Sequence, residues 1–368
     1  MTEILYIDRA EALESLCRRL EDQPWLAVDT EFLRERTYYP RLCLVQVAGP
    51  RIVACVDVLA LEEADPLLDL LCADSAPRIF HAARQDLEAL YGRYGRAPTS
   101  LFDTQIAANL LGYGDQIGYA ALVEAVTGTR LAKGHSRTDW SRRPLLEEQL
   151  HYAADDVRYL GSLFETLAPA LQARGRRTWL AEEVARLTDP AGYVPAADTA
   201  WQRVRGAQRL PPTGRSALKA LAAWRERRAQ SADRPRQWIA RDETLLALAQ
   251  ALPDDRAALE RTLDGERRLA SVHGSTLLAL IGTAASRDTE PAAASSALLD
   301  RAQQALVKRL MQHVRRRAAE HDISPGLLAT RRDVERLVRG ESPVPFLEGW
   351  RRGVIGEELA ALAREAAG

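Results

Sequence analysis

Residues 25–31 read WLAVDTE, an apolar run that ends in two acids one residue apart. Alternate residues of a strand share a face, so Asp29 and Glu31 point the same way if this run is extended. Two like charges on one face of a sheet are tolerated when something offsets their repulsion, and a divalent cation does so; the alternative is an exposed strand end. Short runs rich in Val, Ile and Cys follow at 42–47 and 52–56, with a fourth strand candidate at 78–81. A helix-like segment, EALESLCRRLED, precedes the run. After the strands, 82–94 has helical periodicity with Leu87, Leu90 and Tyr91 on one face, and 103–111, 119–126 and 146–171 continue the helical pattern. Strands first and helices later predict an α/β domain, a mixed sheet with helices packed on it.

The rest of the chain sets the frame for this domain. Its 368 residues suffice for two or three domains, and 46% apolar with 27% charged residues excludes a disordered or fibrous protein. No stretch approaches the ~18 uninterrupted apolar residues of a membrane span, and the opening MTEILYIDRAEALESL has no basic segment followed by an apolar run. Cys17, Cys43, Cys55 and Cys72 lie scattered without metal-ligand spacing and read as reduced core cysteines of a cytosolic protein. The net charge of −1 hides an asymmetry: residues 201–368 carry 29 Lys+Arg against 21 Asp+Glu, leaving 21 against 30 for residues 1–200. An acidic half joined to a basic half suggests a metal-dependent domain linked to one that holds a polyanion, although solvated helix faces give the same numbers. Pro, Gly, Ala and Asp concentrate in a linker within 188–212, and GTAASRDTEPAAASSA marks a second. Beyond the first linker the pattern is helical throughout, and 227–248 can be laid against 316–338 as a possible duplication.

Two further carboxylate signals join Asp29 and Glu31. Asp86, in HAARQDL, lies just inside a helix that follows a short strand, where a dipole partner is the simpler reading. In HYAADD, Tyr152 and Asp156 are four residues apart on one helical face, with Asp155 on another side. Four carboxylates from a strand, a helix start and a late helix suit a pair of hard cations with oxygen ligands. Two such ions ~3.5–4 Å apart promote phosphodiester hydrolysis.

These residues carry a resemblance. Asp29-Thr-Glu31, His81-x4-Asp86 and Tyr152-x3-Asp156 resemble the three exonuclease motifs of the DEDD superfamily in its tyrosine-containing subgroup. VDTEFLRERTYYPRLCLVQVA, FHAARQDLEAL, FDTQIAANLLGYG and TDWSRRPLLEEQLHYAADDVRYL are similar to bacterial ribonuclease D, and the C-terminal helical regions are similar to the tandem HRDC domains of that family. The resemblance implies a ribonuclease H-like α/β exonuclease fold followed by two all-α helical bundles. Its domains would be a 3′→5′ exonuclease domain (1–190), a linker (191–212), an HRDC-like domain (213–283), a linker (284–297) and a second HRDC-like domain (298–368). It also implies Asp29, Glu31, Asp86 and Asp156 as ligands of two Mg²⁺ or Mn²⁺ ions, with Tyr152 positioning the attacking water. His151-x4-Asp156 fits the spacing of the histidine subgroup as well, but the QLHYAADDV context favours tyrosine, and a neutral Tyr orients a water better than it takes a proton.

Candidate substrate contacts are Phe32, as a wedge against a terminal base or as core, and Gln46, as a family position or an ordinary buried amide. Trp140 and Arg143 contact a nucleotide or pin the loop before the last motif helix. Asp103 reads as an N-cap. Arginine-rich segments near 225–228, 234–241 and 315–317, with Trp224 and Trp238, offer phosphate and base contacts or plain surface. The implied activity is cytoplasmic release of 5′-mononucleotides from the 3′ ends of tRNA precursors and other structured RNAs, with no membrane and no obligate protein partner. The rivals are a DNA 3′→5′ exonuclease of repair and a catalytically silent RNA-binding protein. A helicase-associated role is excluded, because no GxxxxGK[ST] loop occurs.

Overall fold

The computed structural model describes residues 3–131, 134, 138–193, 196–286 and 299–367. Among them six strands, β1 (Ile4–Ile7), β2 (Leu26–Leu33), β3 (Arg41–Gly49), β4 (Ile52–Val56), β5 (Arg78–Phe80) and β6 (Leu101–Asp103), form one mixed sheet in the order β1-β4-β3-β2-β5-β6. The centre β2-β3-β4 is antiparallel, and β1, β5 and β6 add in parallel at the two sides. β3 and β4 are almost wholly buried, as strands covered on both faces must be. β2 runs past the expected end at Asp29 because its ladder with β3 continues, slipping between Glu31 and Phe32 so that Cys43 is the extra residue on β3. A bulge of this kind bends the strand and re-aims its side chains. β1 and β6 were not expected from sequence: four and three residues are too few to show a period of two.

Helices α1 (Ala10–Leu20), α2 (Asp65–Cys72), α3 (Arg84–Tyr94), α4 (Thr104–Leu110), α5 (Tyr119–Thr127), α6 (Glu147–Arg158), α7 (Leu160–Ala173) and α8 (Arg177–Leu187) accompany the sheet. The single helix expected over 146–171 is two, α6 and α7, divided at Tyr159, whose N–H donates to the Tyr119 hydroxyl at 3.3 Å. Gly161 opens the second of them without a Cβ, which would lie 2.2 Å from the Trp25 ring. The close approach seats Trp25 at the head of β2, its indole N–H donating to Glu165 at 3.2 Å.

The chain divides into two compact units, one of 3–33, 41–190 and 299–367, the other of 34–40 and 191–286. The second unit contains α9 (Pro212–Ala232), α10 (Arg236–Ile239), α11 (Asp242–Ala251), α12 (Arg256–Thr262) and α13 (Arg267–Ser286) around Leu218, Leu221, Leu245, Leu248 and Leu259. Residues 34–40 are fastened within it: the Asp233 carboxylate accepts from the N–H groups of Tyr38 and Tyr39 at 2.9 and 3.1 Å, and Arg236 donates to Glu226 and to the Tyr38 hydroxyl. The last helices, α14 (Arg301–Glu320), α15 (Pro325–Leu328), α16 (Arg331–Val338), α17 (Gly349–Arg351) and α18 (Glu357–Ala367), share the first unit with the sheet. Trp350 stacks on Trp179 of α8 at 4.3 Å between ring centres, and Glu183 accepts from Trp350 Nε1 and Arg351 Nη2 at 2.9 and 2.8 Å.

The two segments matched as a possible duplication have the same local geometry. Each long helix ends near an aspartate with left-handed backbone, Asp233 (φ 45°) or Asp322 (φ 51°). A four-residue helix then follows, with a proline just before it (Pro235) or at its first position (Pro325), an extended alanine comes next (Ala240 φ −160°, Ala329 φ −155°), and the next helix begins.

Candidate active site

Three elements bring the sequence-predicted acids together. β2 supplies Asp29 and Glu31 from one face, and α6 supplies Asp156. One carboxylate oxygen of each lies within 4.8 Å of the others. Asp86 comes from the first turn of α3, almost fully buried, and accepts from the Thr30 hydroxyl at 2.6 Å. The turn into α3 is unusual. Ala82 has φ 58°, and the Asp103 carboxylate accepts from the N–H groups of Ala82 and Ala83 at 3.3 and 2.9 Å. The same carboxylate caps α4 by accepting from Gln105 and Ile106 at 2.9 and 3.1 Å. Asp103 therefore ties the start of α4 to the turn that aims Asp86.

The four acids destabilise one another's charge. Burial and the charges of Asp86, Asp156 and Glu31 push Asp29 well above the usual carboxylate range. Burial, Asp156 and Asp86 push Glu31 up to about 8. Burial first, then Asp103, raises Asp86 to about 7 against the hydrogen bond from Thr30, and burial, Asp155 and Asp86 raise Asp156 to about 7 against the hydrogen bond from Tyr152. Such a set, all oxygen, partly buried and mutually repelling, fits a divalent cation, which replaces the repulsion with attraction. Tyr152 donates to Asp156, and burial with the surrounding carboxylates raises its own pKa, so the hydroxyl keeps its proton.

A family model described as 3′-5′ exonuclease matches residues 4–172, and an HRDC domain model matches 215–281. Ribonuclease D of Granulibacter bethesdensis is 41% identical, over 97% of this chain and 91% of its own. The chain belongs to the ribonuclease D family. Ribonuclease D of Gluconacetobacter diazotrophicus is 40% identical, over 97% of this chain and 92% of its own. The crystal structure of Escherichia coli RNase D, described as an exoribonuclease involved in structured RNA processing, is similar with a TM-score of 0.87 at 32% identity, covering 99% of both chains. Membership in ribonuclease D carries the exonuclease fold and an exoribonuclease activity, and the acidic cluster is consistent with divalent metal use.

Around this acidic cluster of the ribonuclease D chain the other expected residues take distinct places. His151 is exposed, 3.6 Å from Glu147, while Tyr152 on the next position faces the acids. Trp140 is buried, and its ring stacks beside Tyr152 at 6.2 Å and 30°. Arg143 is committed to internal partners: Nε and Nη2 donate to Asp57 at 2.5 and 2.6 Å, Nη1 to the Trp140 carbonyl at 2.7 Å and Nη2 to the Cys43 carbonyl at 3.0 Å. That is the loop-pinning geometry rather than a free guanidinium. Phe32 is half-buried just past the bulge, and Gln46 is fully buried opposite Asp29. Sequence reading missed Asp57, which also accepts from the Tyr6 hydroxyl. The signal was present: IVACVD, like WLAVD, is an apolar run closed by an aspartate. Among the described residues no helix is long and apolar enough to cross a membrane.

Proposed function

We propose that this chain is a 3′→5′ exoribonuclease that releases 5′-mononucleotides from RNA ends, trimming precursors of tRNA and other small structured RNAs in the cytoplasm. The observation that carries the reading is the convergence of half-buried Asp29, Glu31 and Asp156, with buried Asp86 close enough for its charge to act on Asp29, within an exonuclease domain. Asp29, Glu31, Asp86 and Asp156 would hold two divalent cations, Mg²⁺ or Mn²⁺. When bound, the cations supply Lewis-acid chemistry and neutralise charge at the scissile phosphate. Tyr152 keeps its proton, donates to Asp156 and orients the attacking water, since a phenol near its ordinary pKa or above is a poor base at neutral pH. Trp140 holds the Tyr152 ring, and Arg143 holds Trp140. Phe32 offers the terminal base a stacking surface.

The domains proposed for this work are the exonuclease domain at 1–190 and helical HRDC-like domains at 213–283 and 298–368, separated by linkers at 191–212 and 284–297. The equal order of local geometry after α9 and α14 supports reading the helical regions as two copies of one design. Their arginines would contact phosphates, which positions a strand without reading its sequence.

A time course on a 3′-extended tRNA and a matched DNA strand, with Mg²⁺, Mn²⁺ or EDTA, tests the proposal. Stepwise, metal-dependent shortening of the RNA with mononucleotide release is expected. Shortening of the DNA alone would move the chain to repair, and no shortening of either would remove the hydrolytic reading.

A further inference from the structure

Across the centre of the sheet, Asp29 of β2 stands opposite Gln46 of β3, and Gln46 opposite Cys55 of β4. Residues directly opposite on antiparallel strands share a face, with Cβ atoms about 4.5–5.5 Å apart. The Cys55 thiol lies 3.9 Å from the Leu150 carbonyl of α6, so this row of three faces that helix. The buried residues of α6 are Ala153, Ala154 and Val157, which carry no polar side-chain atom.

Gln46 is therefore an amide in an apolar setting beside one acid of the site. It has no exposure, and neither its nitrogen nor its oxygen has a hydrogen-bond partner. Buried amides in native proteins are nearly always paired, and one that is not calls for a reason. Packing supplies none: the residues of β3 that share the face of Gln46, Leu44 and Ala48, are apolar, and a side chain such as Met would fill the same space without an unpaired polar group. Along its row the amide stands between the Asp29 carboxylate of the acidic site and the Cys55 thiol, with the Arg158 guanidinium acting on that thiol.

We propose that Gln46 is a positioning residue of the cation site, its amide kept for the oxygen ligands that a divalent cation orders beside Asp29. It would hold those ligands in place without binding the cation. This rests on reading the four carboxylates as a cation site and goes beyond it by adding a neutral residue that none of the ligand motifs contains. Groups that orient metal ligands in this way typically change metal affinity by about 10–100-fold when removed.

The test is Mn²⁺ titration calorimetry on the full-length chain, wild type against Gln46→Met and Gln46→Leu, with thermal melts of the same proteins in EDTA. The expected result is Mn²⁺ affinity lower by about tenfold or more, with a melting temperature in EDTA equal to or above wild type, because the deleted amide had no partner. Unchanged Mn²⁺ affinity in a folded variant would overturn the proposal. So would a lower melting temperature in EDTA for both variants, which would show the amide bonded within the fold. If the wild type itself binds no Mn²⁺, the cation reading falls and this proposal with it; if wild type and variants bind alike, only the role of Gln46 falls.

Discussion

Two aspartates follow apolar runs in strands of the same sheet, and the protein treats them in opposite ways. Asp57 follows β4 and is completed from within. Burial alone would push it up, but hydrogen bonds from Arg143 and Tyr6 and the Arg143 charge hold it below the usual carboxylate range. Asp29, on β2, meets other acids instead, and burial with their charges pushes it well above that range. Asp103 belongs with Asp57: four backbone N–H groups converge on its carboxylate. The contrast separates carboxylates completed by partners within the fold from carboxylates that face one another. Sequence motif alone does not make this distinction, since IVACVD and WLAVD look the same.

Substitutions on the two sides of the contrast should differ in kind. The largest effect belongs to Asp156→Ala: RNA shortening falls by several orders of magnitude, while the melting temperature in EDTA is equal to or above wild type because one repelling charge is gone. A stability loss comparable to the activity loss would merge the two classes. Tyr152→Phe keeps the ring against Trp140 and removes the hydroxyl; kcat should fall by about 10²-fold, the scale of lost positioning, with KM nearly unchanged in initial-rate measurements. Asp57→Ala leaves the buried face of Arg143 without its partner and should cost about 3 kcal/mol in denaturant unfolding, by the same amount with Mg²⁺ or EDTA. Asp103→Ala removes a cap and should cost about 1–2 kcal/mol in EDTA. A Mg²⁺-dependent cost at Asp57 would place it with the ligand set.

Much of the site was legible because its parts are local. Asp29 and Glu31 share a face by strand period, and Tyr152 and Asp156 by helix period, so each pair could be read before any fold was known. The convergence of the pairs required the motif resemblance, because nothing in a short-range pattern brings α6 to β2. Arg143 was visible but its partner was not: Asp57 lies 86 positions away, and the pair exists only once the sheet forms. Short edge strands escaped for want of length. The division of the long helix at Tyr159 escaped because its cause, the Tyr119 hydroxyl, is 40 positions distant. Gln46 was noted as a position beside the site, but the lack of a partner for its amide is a property of packing that no one-dimensional pattern contains.

The most direct test of the contrast is the melting temperature of the wild-type chain from pH 5.5 to 9, with Mg²⁺ and with EDTA. Carboxyls whose folded pKa is raised above the ordinary value of about 4 favour folding when protonated. Their contribution is complete below that pH and is lost as pH rises through the folded values, about 7 for Asp86 and Asp156 and about 8 for Glu31. Stability in EDTA should therefore fall across this range, and Mg²⁺ should restore it increasingly toward pH 9. Superimposed curves with and without Mg²⁺ would contradict the assignment of these four acids to a cation.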